Sequence, residues 1–118
     1  MAAPSLDYSA TFQTAIELIG KRWTGAVVRA LMPAPVRFNQ LLTGIPGISD
    51  RVLTERLREL ETEGIVERLV DPGPPVRVSY RLTARGRALG PVIASVDAWA
   101  DEWLSSAGRR SATAVAAS

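Results

Sequence analysis

A mainly helical α+β domain carrying one small β-hairpin is the fold class that this sequence predicts, and three observations predict it. Apolar residues recur at helical spacing over residues 12–31 and again over 89–103. Between them, residues 48–64 form a capped, amphipathic stretch preceded by Pro46-Gly47. Residues 65–82 are rich in β-branched and alternating positions on either side of Asp71-Pro72-Gly73-Pro74-Pro75, which neither a helix nor a strand interior tolerates. The 118 residues suffice for a single core. The expected division is a leader over residues 1–10, one domain over 11–104, and a small-residue tail over 105–118.

Taken in order, Phe12, Ile16 and Ile19 mark the apolar stripe of a first helix that Gly20 stops. Lys21-Arg22-Trp23 is expected to start a second, with Trp23, Val27, Ala30 and Leu31 buried and Pro33-Ala34-Pro35 ending it. Val36-Arg37 is short and extended. Phe38 to Thr43 makes a brief helix pointing Phe38, Leu41 and Leu42 inward, and Gly44-Ile45-Pro46-Gly47 turns the chain.

Ser49 is placed to cap the next helix, Asp50 lies at its positive end, and Gly64 can close it in the left-handed conformation. Val52, Leu53, Leu57 and Leu60 share one side of it; Arg51, Thr54, Glu55 and Arg58 share the other. In the hairpin, Val76, Val78, Tyr80 and Leu82 alternate with Arg77, Ser79 and Arg81, so one face is expected buried and the other wet. Thr83 can cap a final helix running to about Leu104, with a restart near Pro91. The stripe Leu89, Val92, Ile93, Val96, Trp99, Ala100 and Trp103 holds more apolar area than so small a core leaves for its last element. Part of it is therefore expected to meet a second subunit.

Composition narrows the function classes. With no Cys and no His, disulfides, thiol switches, imidazole catalysis and almost every zinc site are excluded, and no metal or other cofactor is expected. No Gly-rich phosphate loop follows a strand, so nucleotide binding has no support; without His or Cys, catalysis would rest on Lys21, Ser or exposed carboxylates such as Glu59 and Glu63, and an enzyme is not expected. No apolar run approaches the ~20 residues of a membrane span, and the N-terminus carries no signal-peptide pattern, so a cytoplasmic protein is expected. Net charge is only +2, so any affinity for nucleic acid must come from local arrangement. Lys21 is the sole lysine beside many arginines, which suits bidentate contacts to guanine or phosphate and equally suits the codon bias of a GC-rich genome.

Two helices joined by a tight turn, the second presenting Arg and Thr, form a helix-turn-helix pattern, and the hairpin after it has the place of a wing. Several phrases narrow the likeness. They are Leu18-Ile19-Gly20-Lys21-Arg22-Trp23-Thr24, Arg37-Phe38-Asn39-Gln40-Leu41, Ile45-Pro46-Gly47-Ile48-Ser49, Leu53-Thr54-Glu55-Arg56-Leu57-Arg58-Glu59-Leu60, Gly64-Ile65-Val66-Glu67-Arg68, Tyr80-Arg81-Leu82-Thr83-Ala84-Arg85-Gly86 and Leu89-Gly90-Pro91-Val92. In this collinear order the chain resembles the HxlR family of bacterial transcription regulators, related in fold to the MarR group. The resemblance implies a winged helix-turn-helix, a homodimer pairing its N- and C-terminal helices, and a pseudo-palindromic operator in double-stranded DNA. Many members carry a sensing cysteine near the first helix, where this chain has Tyr8-Ser9-Ala10-Thr11-Phe12-Gln13. Any small-molecule effector would then act non-covalently.

The expected DNA contacts are Arg51, Thr54 and Arg58 at base edges or phosphates, with Asp50 and Glu55 facing the same way and Ser49 at the helix start. Arg37 is expected on the backbone, with Arg77, Arg68 and Arg81 in the wing. A solvated helix face and a hairpin exposing its charges to water describe the same patterns. Phe12, Ile16, Ile19, Trp23, Val96, Trp99 and Trp103 are the expected residues of a ligand pocket or dimer interface, though Trp23 reads first as core. The rival reading from another class is a winged helix used for protein interaction, with Glu59, Glu61, Glu63 and Glu67 making one end of the helix acidic.

Overall fold

The computed structural model describes residues 5–105. Its elements run α1 (Ala10–Ile19), α2 (Thr24–Leu31), β1 (Val36–Arg37), α3 (Phe38–Gly44), α4 (Asp50–Thr62), β2 (Val66–Asp71), β3 (Arg77–Leu82), α5 (Ala84–Arg87) and α6 (Gly90–Trp103). The chain is a winged helix: mostly helical, with one three-stranded antiparallel sheet in the order β1-β3-β2. Apart from Ser105, the expected tail lies outside the described residues.

The starts of α1, α4 and α5 follow from side-chain caps that satisfy first-turn N–H groups. Ser9 Oγ accepts from the Phe12 N–H, Ser49 Oγ from Val52 and Thr83 Oγ1 from Gly86. The end of α4 is a Schellman motif, with the Ile65 N–H donating to Leu60 O at 2.9 Å and the Gly64 N–H to Glu61 O at 3.0 Å. Gly64 has φ +72, as its place at that stop requires. The last helix does break where Gly86, Gly90 and Pro91 weaken it: α5 ends at Arg87 and α6 restarts with Pro91 in its first turn.

Two local expectations need correction. Lys21, Arg22 and Trp23 do not open α2, which begins at Thr24; Trp23 precedes it in the left-handed region, φ +76. Val76 does not join the buried face of the hairpin. It lies beyond the end of β3, at the tip, where no element reaches to cover it.

The core is built where the helix-turn-helix meets the sheet. Val27, Val28 and Leu31 of α2, Leu41 of α3, and Leu53, Leu57 and Leu60 of α4 close against Ile65, Val66, Tyr80 and Leu82. Phe38, Leu42 and Val52 pack on it half-buried. The register pairs Val66 with Leu82, Arg68 with Tyr80 and Val70 with Val78, so these six share one face of the sheet. Its base faces the core, and its outer half projects beyond. In contrast, neither α1 nor α6 contains a buried residue. The start of α6 is fastened through Leu89 and Ile93 against the core and by Arg29 Nε on Asp97, 2.9 Å; the rest of it projects.

Candidate nucleic-acid interface

The recognition segment is built from the turn outward. Gly47, at φ +89, reverses the chain beneath the Trp23 ring, and Ser49 then starts α4. Asp50 and Arg51 stand exposed on its first turn. The Arg51 side chain is 88% exposed and donates from Nε to Glu55 Oε1 at 3.1 Å. Such an exposed i,i+4 pair is weak and easily exchanged for another acceptor. Thr54 and Glu55 are half-buried.

Arg58 lies two turns further along, about 10.5 Å by helical rise. It is exposed and lines a groove of about 540 Å³ with Thr14, Glu17, Leu18, Lys21, Glu59, Thr62 and Glu63, between α1 and the second half of α4. The structure thus separates two arginines that share one azimuth. Arg51 stands at the open start of the helix, whereas Arg58 faces three carboxylates.

A second group forms around the hairpin. Arg37 sits where β1 passes into α3; its N–H donates to Gln40 Oε1 at 3.1 Å, leaving the guanidinium unused. Arg68 is exposed near the middle of β2, opposite Tyr80, and Arg77 opens β3. These three arginines line one cleft of about 410 Å³ with Phe38, Asn39, Val76, Val78 and Tyr80. No carboxylate lines it, and none of the three makes an ion pair among the described residues. Three like charges on one rim repel unless an anion lies between them. Asn39 is a candidate that the sequence reading missed; its only signal is its position two residues after Arg37.

Arg81 does not join that cleft. It pairs across the strands with Glu67, Nη2 to Oε2 3.0 Å, on the sheet face opposite Arg68 and Tyr80. Glu59, counted in the acidic end of the helix, accepts from both Lys21 (2.8 Å) and Arg56 (3.1 Å).

The residues expected at a pocket or interface divide into three. Phe12, Ile16 and Ile19 line an apolar cavity of about 390 Å³ with Ala15, Leu18, Ile65, Leu89 and Val92, and Arg85 is its one charged neighbour. Val96, Trp99 and Trp103 do not reach it; they lie further along α6, with Trp99 56% and Trp103 47% exposed. Trp23 belongs to neither group, because its left-handed backbone turns the ring against Gly47 at the helix-turn-helix corner. Among the described residues no His/Cys/Asp/Glu cluster fits a metal ion, and no helix is long and apolar enough to cross a membrane.

With this geometry in place, comparison with known proteins is informative. The family model described as HxlR-like helix-turn-helix matches residues 18–107. YvaP, an uncharacterized HTH-type transcriptional regulator of Bacillus subtilis (strain 168), is 43% identical over 93 residues, covering 79% of this chain and 86% of its own. The solved structure of the reduced form of the regulator YodB from B. subtilis aligns with a TM-score of 0.73 at 45% identity, covering 81% of this chain and 94% of YodB. YodB is also known in diamide-treated and quinone-bound forms. A MarR-family regulator from Porphyromonas gingivalis W83 aligns with a TM-score of 0.77 at 25% identity, over 85% of this chain and 98% of its own.

Proposed function

Since this chain belongs to the HxlR-like helix-turn-helix family of transcriptional regulators, we propose that it binds double-stranded DNA sequence-specifically, as a homodimer on a pseudo-palindromic operator. The observation that carries this reading is the cleft beside the wing that Arg37, Arg68 and Arg77 line together with no carboxylate among its lining residues, Asp71, the cross-strand neighbour of Arg77, lying outside it. A phosphodiester backbone lying along that cleft supplies the missing anion. Phosphate contacts of this kind set register and orientation. The base reader is Arg51, exposed at the start of α4 and tied only by a labile pair to Glu55. Asp50 and Thr54 flank it, and Ser49 fixes the helix start so that free N–H groups face the duplex. Arg58 takes a flanking phosphate, and Arg81 contributes less because Glu67 already neutralises it.

The dimer reading rests on α1 and α6, which contain no fully buried residue among those described yet present Phe12, Val96, Trp99 and Trp103 to the outside. A small-molecule effector, if one acts here, enters the apolar cavity beside Phe12 and Ile16 and acts non-covalently, since the chain has no thiol. The rival reading as a protein-interaction module rests on Glu59, Glu61, Glu63 and Glu67, of which Glu59 and Glu67 are already paired.

The test is fluorescence anisotropy against the DNA upstream of the protein's own gene and against a scrambled duplex, across a salt series. Expected are selective binding, a steep fall of affinity with salt, and reduced selectivity in Arg51→Ala. Binding indifferent to sequence and salt would sink the proposal.

A further inference from the structure

We infer that the three-residue loop Lys21–Arg22–Trp23 is a clamp that fixes the recognition helix relative to α1, and that Arg56 is the positioning residue through which it acts on DNA reading. The inference rests on the DNA-binding reading above and adds to it a route from the outer helix to the base-reading one. Each residue of the loop grips the helix-turn-helix at a different point. Lys21 Nζ lies 2.8 Å from Glu59 Oε1. The Arg22 carbonyl accepts from Arg56 Nε at 2.9 Å. The Trp23 ring covers Gly47, so closely that a Cβ there would lie 3.3 Å from the indole. Arg56 Nη1 also donates to Glu59 Oε1 at 3.1 Å, which joins the first two grips into one network.

Two further observations mark this as more than loop packing. Trp23 is the only described residue other than glycine with positive φ, and a bulky side chain adopts that conformation only where its surroundings impose it. Arg56 is an arginine on the recognition helix yet only 13% exposed, so it is withdrawn from any DNA surface and committed to the loop. The turn before α4 and the middle of α4 are thereby tied to the same three residues, immediately after α1 and its capping Gly20. Between Thr14–Leu18 of α1 and the second half of α4 lies an open groove lined by Glu17, Arg58 and Glu63. The loop is therefore a direct connection from α1 to α4, beside the packing of both on α2.

The decisive substitution is Arg56→Lys, which keeps a cation near Glu59 but removes the Nε donor to Arg22. One readout is the distance distribution between spin labels at Thr11→Cys and Thr62→Cys, which the cysteine-free chain permits, diluted with unlabelled protein so that only pairs within one chain are seen. The expected result is a narrow distribution that broadens in Arg56→Lys. The second readout is DNA binding: the ratio of specific to scrambled-duplex affinity should fall about tenfold while the salt slope stays unchanged, a pattern that mere loss of stability does not produce. If Arg56→Lys fails to fold, Glu59→Ala, which removes the acceptor shared by Lys21 and Arg56, carries the same expectations. An unbroadened distribution overturns the clamp, whether or not DNA is bound. Broadening with unchanged selectivity overturns the positioning role. A wild type with no selectivity removes the DNA reading instead, and the distance measurement still decides the clamp.

Discussion

At the level of single residues, Arg51 and Arg77 are expected to fail differently. With Arg51 as the proposed base reader, Arg51→Ala should lower affinity by about 1–3 kcal/mol and relax discrimination at one position of the site. A panel of single-base variants checks this. With Arg77 as a proposed phosphate contact, Arg77→Ala should lower affinity alike on all sequences and reduce the log–log salt slope by about 0.9. The Arg51–Glu55 pair itself holds little: Glu55→Ala should shift folding stability by less than about 0.5 kcal/mol in a urea melt. Gly86 is the opposite case. A Cβ there would run into the Ile65 carbonyl oxygen and sit 3.1 Å from Leu82 Cδ2. Gly86→Ala should therefore destabilise the fold by about 1–3 kcal/mol, and a neutral urea melt would contradict that packing.

Among elements, α4 was the most legible, because everything that defines it acts within a turn or two. Ser49, Gly64 and the Leu53/Leu57/Leu60 stripe all appear in the structure as their local chemistry dictates. Ser49→Ala should lower stability by about 1 kcal/mol, read by chemical denaturation, through loss of the Val52 N–H bond. The loop before α2 was not legible. Lys21 to Trp23 are acceptable helix formers, and their turn arises from contacts with Gly47, Arg56 and Glu59, 24 to 38 positions away. The wing was legible in part: its strands and tip follow from alternation and Pro/Gly chemistry, but the exposure of Val76 depends on how far the core extends beneath it.

The whole molecule divides into a packed centre and two outlying helices. The centre of α2, α3, α4 and the sheet contains every buried apolar residue among those described, while α1 and α6 carry exposed Phe12, Val96, Trp99 and Trp103. A large aromatic left in water on both helices is stabilising only once a partner covers it. Trp99→Asp combined with Trp103→Asp should convert a dimer to monomers in sedimentation velocity. It should also abolish the advantage of a two-half-site operator over a single half-site; an unchanged sedimentation coefficient would refute the pairing. The amino-acid order alone determined the α+β class, the succession of helices and hairpin, the caps and stops, and the resemblance to a family, because each rests on periodicity or on interactions within a few residues. Only the tertiary structure decided which arginines are free. Arg37, Arg68 and Arg77 meet on one cleft, Arg81 is matched by Glu67, Arg56 is turned inward and Arg58 faces a carboxylate-lined groove. A cation's availability depends on which charges the fold brings within a few ångströms of it, and several of those partners lie tens of residues away in the chain.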